Sequence, residues 1–208
     1  SGGGMVHSYG LASSQLQRIR DRNIPLTVTV DKVAASGGYM MACIANNIVA
    51  APFAIIGSIG VVAQLPNFHK LLKKNDIDFE IHTAGEYKRT LTMFGENTDN
   101  GREKFREELE DTHVLFKEFV GEHRPELDVA AVATGEVWYG SRAKAINLVD
   151  EISTSDDYLM RQRDSAEIYK IVFEHKKSLQ EKLGFAAETA VDTAISKWLS
   201  RLQNARFW

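Results

Sequence analysis

The stretch Pro25 to Ala45, PLTVTVDKVAASGGYMMACIA, constrains this chain more than any other because it joins two kinds of periodicity across a single turn. Leu26, Val28 and Val30 alternate with Thr27, Thr29 and Asp31, which predicts a strand over Leu26 to Val33. Tyr39, Met40, Met41, Ala42 and Ile44 suit a buried helix. Gly37 and Gly38 connect the two and leave Ser36 at the joint. First-turn N–H groups of a helix have no intrahelical acceptor, so a carbonyl attacked by the Ser36 hydroxyl would find donors where its oxyanion develops. Taken alone, the two glycines read more readily as a means of close helix packing.

The rest of the first 90 residues continues the alternation of strand and helix. A helix is predicted from Met5 to Arg22, stopping before Ile24-Pro25 because the residue preceding proline disfavours the α region. Ile48 to Ala51 is a short apolar run, and Gly57 and Gly60 bracket Ser58 in a tight turn. Pro66 opens a helix to Lys74 with Phe68, Leu71 and Leu72 inward, and Asp78 to Thr83 alternates as a strand that buries Phe79 and Ile81. This order is that of parallel βαβ units, an α/β fold. Gly101 to His123 is the clearest amphipathic helix, with Asn100 and Glu103 as its capping box. Asp128 and Ser141 are expected to cap shorter helices on either side of Val137-Trp138, and Glu167 to Glu174 reads as a strand before a helical tail.

Composition narrows the classes of function. At 208 residues and 44% apolar, the chain can bury a real core as one domain, or one domain with an appended helix. A net charge of -3 without a long Lys/Arg run gives no reason to expect nucleic acid. A single cysteine, Cys43, excludes an intrachain disulfide framework. The opening SGGGMVHSYG has neither the charged start nor the apolar middle of a signal peptide, and its glycine turn without a preceding strand leads us to expect an upstream segment.

A serine hydroxyl needs a general base. The histidines are His7, His69, His82, His113, His123 and His175, and none sits in a turn that returns to Ser36. Each reads more readily as solvated or packed. Lys88 in HTAGEYKRT is the other candidate, at the C-terminal edge of the strand predicted to end at Thr83. As a base it must be neutral, and lowering a lysine from about 10.4 toward 7 costs about 4–5 kcal/mol, which burial in a water-poor cleft can supply. Most loop lysines are instead solvated, and spacing alone leaves the choice of base open.

Four motifs in order carry a family resemblance. SGGG is similar to an SPGG turn, DKVAASGGYMMACIANNIVAAPFAIIGSIGVV to a nucleophile region, AGEYKRT to an AG-x-YK motif, and TGEVWYGSRAKAINLVDEI to a TG-x-x-aromatic-x-G segment ending in GLVDEIG. Together they resemble the S49 peptidases, the signal peptide peptidase A family, over about residues 1 to 155, and the residues after Tyr87 and the aromatic tail resemble a branch of bacterial inner-membrane members. The offset from Ser36 to Lys88 also matches. Departures are Gly2 in place of the turn proline, Asn147 where a glycine usually precedes LVD, and Arg89 after the lysine.

The resemblance implies a ClpP/crotonase-like fold of stacked βαβ units with a C-terminal helical extension. It implies Ser36 as nucleophile, Lys88 as general base, Ser58 orienting the lysine amine, and Gly37 with Gly3 as the oxyanion hole. The implied activity is a serine endopeptidase acting through an acyl-enzyme on signal-peptide remnants or membrane-derived peptides, with no cofactor or metal. It further implies a homo-oligomeric ring or dome, in which the lysine can come from a neighbouring subunit. Upstream membrane anchoring at the periplasmic side of a bacterial inner membrane is also implied. Residues 156–208 are expected to form a strand and a helical tail serving oligomerisation. Rival readings are a crotonase-type acyl-CoA enzyme and a catalytically inactive scaffold of a membrane protein complex.

Overall fold

The computed structural model describes residues 1–173, so the tail expected to be helical and His175 lie outside the described residues. Residues Ser1–Ala166 form one compact unit, and a second begins at Glu167. The first unit is α/β, as expected. Its first helix, α1 (Val6–Arg20), ends at a left-handed Asn23 just before Ile24-Pro25. The expected strand Leu26 to Val33 is two strands, β1 (Thr27–Val30) and β2 (Val33–Ala35). The break has a cause: the Asp31 carboxylate accepts the Ser155 N–H at 2.8 Å and the Ser155 hydroxyl at 2.5 Å. This tie draws the chain to the start of a distant helix.

After β2 come α2 (Gly37–Ala42), β3 (Asn47–Ala50) and β4 (Ile55–Gly57). Then follow α3 (His69–Lys74), α4 (Asp99–His123), α5 (Val129–Val132), β5 (Val137–Tyr139), α6 (Gly140–Ala145), β6 (Glu151–Ile152) and α7 (Ser155–Gln162). One sheet has the order β1-β3-β6 and is parallel throughout. The other has the order β2-β4-β5, with β2 and β4 parallel and β5 antiparallel. Breaking the strand at Asp31 thus lets one continuous apolar run supply both sheets.

The core lies around α2 and the parallel strands. Tyr39, Ile44, Ile48, Ile56, Val120, Leu148 and Val149 are almost wholly enclosed, each large side chain contributing about 1.5–3 kcal/mol relative to exposure. Tyr39 donates its buried hydroxyl to the Leu148 carbonyl at 2.9 Å. Arg124 closes the far end with two bonds to the Asp150 carboxylate and one to the Asn147 carbonyl, each 2.8 Å. Burial works against the Asp150 charge, but Arg124 and the Ile48 N–H outweigh it and hold the carboxyl below its ordinary range. Asn147 has φ 62°, a conformation glycine adopts freely and asparagine tolerates better than most residues, so its replacement of the usual glycine leaves the turn intact.

Several local expectations need correction. The cap of α4 is Thr98, whose side chain accepts the Gly101 N–H, rather than Asn100. Asp128 does cap α5, whereas Ser141 lies inside α6 and bonds the Pro52 carbonyl. No residue of α3 is buried, so Phe68 and Leu71 do not face inward. Residues 78–83 form no strand, and Phe79 and Ile81 are exposed, because among the described residues no neighbouring strand supplies the ladder that alternation alone cannot. Within the second unit, residues 167–173 form no strand either.

Candidate active site

Ser36 sits between β2 and α2 with φ 53° and ψ −124°, a conformation that non-glycine residues rarely hold. Both sides of the turn are anchored. Its N–H donates to the Gly57 carbonyl at 2.8 Å, and its own carbonyl accepts the Tyr39 and Met40 N–H groups at 2.9 and 3.0 Å. The side chain is half-buried. Such a strained strand-to-helix turn presents a serine oxygen at the end of a sheet, where a substrate carbonyl can approach it.

Ser58 arrives by register. Ala35 is opposite Gly57 in the parallel pair, so Ser36 and Ser58 leave adjacent strands at the same C-terminal edge. Ser58 is itself left-handed, at φ 50°, and its N–H is fixed to the Glu136 carbonyl at 2.6 Å.

The SGGG turn is laid along β2. The Ser1 nitrogen bonds the Val33 carbonyl, and the Ala35 N–H donates to the Ser1 carbonyl at 3.0 Å. This brings Gly3, with φ 92°, against the serine: a Cβ there would lie 2.7 Å from the Ser36 Cβ and 2.8 Å from the Gly37 nitrogen. Only glycine fits such an approach. Tyr9 braces the turn, donating its hydroxyl to the Gly3 carbonyl at 3.0 Å and lying 2.6 Å from the Ser1 hydroxyl. Nothing in the sequence pattern distinguished Tyr9 from other residues of an exposed helix. Gly37 is the first residue of α2, so its N–H has no intrahelical acceptor, whereas the Gly3 N–H donates to the Ser1 hydroxyl at 3.3 Å.

A cavity of about 800 Å³ opens on these groups, lined among others by Gly3, Ser36, Ser58, Val61, His113 and Thr134. Three of the expected site residues are therefore gathered on one wall system. Lys88 is not among the lining residues. It occupies an exposed turn in which its N–H donates to the Gly85 carbonyl at 3.2 Å, and Arg89 is exposed beside it. His113, which the charged helix pattern made look solvated, does line the cavity. Its signal was spatial and had no counterpart in local sequence.

The chemistry available is that of the hydroxyl. Cys43 is buried, and burial pushes its thiol up to about 12, so it holds almost no thiolate at neutral pH. Among the described residues no group of three or more His, Cys, Asp or Glu side chains is arranged to hold a metal, and no helix is long and apolar enough to cross a membrane.

A family model described as peptidase family S49 matches residues 18–169. The chain is 55% identical over 201 residues to a probable protease SohB of Haemophilus influenzae, covering 97% of this chain and 57% of that protein. It is 66% identical over 160 residues to a probable protease SohB of Buchnera aphidicola, covering 77% and 52% respectively. The chain thus spans a little over half the length of these curated relatives. Among solved structures, an enoyl-CoA hydratase/isomerase from Marinobacter aquaeolei superposes with a TM-score of 0.41 at 12% identity, covering 76% of this chain and 42% of that one. Nothing about function follows from so loose a likeness.

Proposed function

Since the chain belongs to peptidase family S49, on its SohB branch and with the ClpP/crotonase-like α/β fold of that family, we propose that it carries the nucleophile of a serine endopeptidase. One observation supports this most: a strained Ser36 faces a cavity beside Ser58 and the glycine turn. In this reading the Lys88 amine, neutral when shielded from water, takes the Ser36 proton as the oxygen attacks a peptide carbonyl. The carbonyl oxygen becomes an oxyanion held by the Gly37 N–H and by an N–H of the Gly3 turn, which must first release the Ser1 hydroxyl. The lysine then protonates the departing amine, and water hydrolyses the acyl-enzyme by the same route.

The exposure of Lys88 within one chain favours an arrangement in which a neighbouring subunit brings lysine and serine together. Packing between subunits would also exclude water from the amine, which a base of this kind requires. The exposed apolar side chains Phe68, Phe79, Ile81 and Phe94 around that limb are consistent with such a contact. The substrates proposed are extended, apolar peptides from signal sequences or membrane proteins, processed at the periplasmic side of an inner membrane. Peptide hydrolysis measured per subunit across a dilution series tests the account. Activity should fall as the assembly dissociates, and an unchanged specific rate in a demonstrated monomer would contradict it.

A further inference from the structure

The run Gly2, Gly3 and Gly4 has little conformational preference of its own, since glycine adopts either sign of φ about as readily. A turn built from it needs a support outside itself. Tyr9 stands on the first turn of α1, where its N–H donates to the Met5 carbonyl at 3.2 Å. Its ring lies on Gly37: a Cβ there would come 2.4 Å from the ring Cγ and 2.8 Å from Cδ1. Farther along the ring, Cε2 is 2.9 Å from where a Gly4 Cβ would be. At its tip the hydroxyl reaches Gly3 and Ser1. One side chain therefore touches both segments proposed to supply the oxyanion donors. The proton count orders its bonds. The Gly3 carbonyl can only accept, so the single Tyr9 proton goes to it at 3.0 Å. The Ser1 hydroxyl, 2.6 Å away, then donates to the Tyr9 oxygen and accepts the Gly3 N–H at 3.3 Å. This assignment satisfies every group and closes a loop through the N–H and the carbonyl of Gly3.

We infer that Tyr9 is a positioning residue that fixes the spacing between Gly3 and Gly37 and the orientation of the Gly3 peptide groups, and so sets the oxyanion site beside Ser36. It is not among the residues lining the cavity, so it acts through the glycines rather than on the substrate. Without the tyrosine oxygen, the Gly3 carbonyl and the Ser1 hydroxyl lose their partners together, and a glycine run is then free to turn its donors elsewhere. Donors stabilise a developing oxyanion because they are aimed before the reaction begins. The inference rests on the peptidase reading, which supplies the oxyanion these donors would hold.

The test compares the parent assembly with Tyr9→Phe, which keeps the ring on Gly37 and removes the loop's oxygen, and with Tyr9→Leu, which removes both. The probes are an apolar fluorogenic tetrapeptide and the peptide aldehyde of the same sequence, whose hemiacetal with the Ser36 oxygen places an oxygen where the oxyanion develops. Tyr9→Phe should lower kcat about tenfold with KM unchanged, and Tyr9→Leu about 10²-fold. Affinity for the aldehyde should fall by the same factors, while binding of the uncleaved peptide to the Ser36→Ala chain is unaffected by adding Tyr9→Phe. A merely structural role would reduce the amount of active chain, which titration with a fluorophosphonate counts, and leave kcat per active site and aldehyde affinity as in the parent. That result overturns the inference, as does a loss of kcat with no loss of aldehyde affinity. A folded, assembled parent that neither cleaves the peptide nor binds the aldehyde would remove the peptidase reading and the inference with it. A parent that does both, matched by Tyr9→Phe, would remove the inference alone.

Discussion

Residues 26–33 and 78–83 carry much the same alternation of apolar and polar side chains, yet the first stretch becomes strands in two sheets and the second becomes exposed chain. The difference is a matter of partners. Thr27 to Val30 lie in register with Asn47 to Ala50, and Val33 to Ala35 with Ile55 to Gly57, so backbone groups and apolar faces are satisfied together. Residues 78–83 have no such neighbour among the described residues, and Phe79 is left 47% exposed. Alternation states which face favours burial, but it cannot supply what covers that face. The nucleophile region is therefore assembled by this chain's own core, whereas the limb bearing Lys88 leaves Phe79 and Ile81 exposed among the described residues.

Substituting the two reactive residues should give the largest effect. Ser36→Ala and Lys88→Met are each expected to lower kcat for peptide hydrolysis by about 10⁴-fold or more, because groups that act as a unit fail together. An equimolar mixture of the two variants, reassembled from subunits, should regain measurable activity if the dyad spans subunits. Failure to recover would mean that the limb folds onto its own chain, which would break the contrast drawn between the two regions.

Gly3→Ala should come next. Its Cβ would meet the Ser36 Cβ and the Gly37 nitrogen, so the proposed oxyanion geometry is disturbed without removing either reactive group. A loss of about 10²–10³ in kcat is expected, the usual scale for one donor. Similar steady-state rates for the variant and the parent would remove the turn from the mechanism.

The core half can be tested through the Arg124 pin. Asp150→Asn leaves the guanidinium, whose side chain is 10% exposed, without its carboxylate and should destabilise the unit by about 3 kcal/mol in urea unfolding. Because the Asp150 carboxyl is held below its ordinary value of 3.8 in the folded chain, its contribution is present above that pH. It is lost as pH falls below about 4 and the carboxyl protonates in the folded state. A parent whose extra acid sensitivity below about pH 4 is not reduced by Asp150→Asn would show that the pin contributes little.

The smallest effect on stability is expected in the other region. Phe79→Ser removes an exposed ring from the Lys88 limb, so the unfolding free energy of the dilute single chain should change by less than about 0.5 kcal/mol. Sedimentation of the same variant should nevertheless show weakened self-association. A large loss of monomer stability would instead place Phe79 in a core the chain builds alone.

What could be read from the sequence follows the same division. The Ser36 turn was legible because strand, glycine pair and helix are contiguous, and Ser58 because glycines mark its turn. The break at Asp31 was not, since its cause is a carboxylate bonded to Ser155 far along the chain. His113 was obscured in the same way: helical periodicity placed it among charges on α4, and only the packing of that helix brings it to the cavity. Asn147 looked like a departure from the family until its left-handed φ showed it doing what a glycine does there. The position of Lys88 was inferred from a strand that needs a neighbour, and that strand does not form in the single chain.

Reaction of the native assembly with a fluorophosphonate, followed by mass mapping of the adduct, bears most directly on the account. One adduct per chain is expected on the Ser36 hydroxyl, formed far more slowly in the Lys88→Met variant. A chain that remains unlabelled while assembled and folded, or that carries the adduct on a different serine, would contradict it.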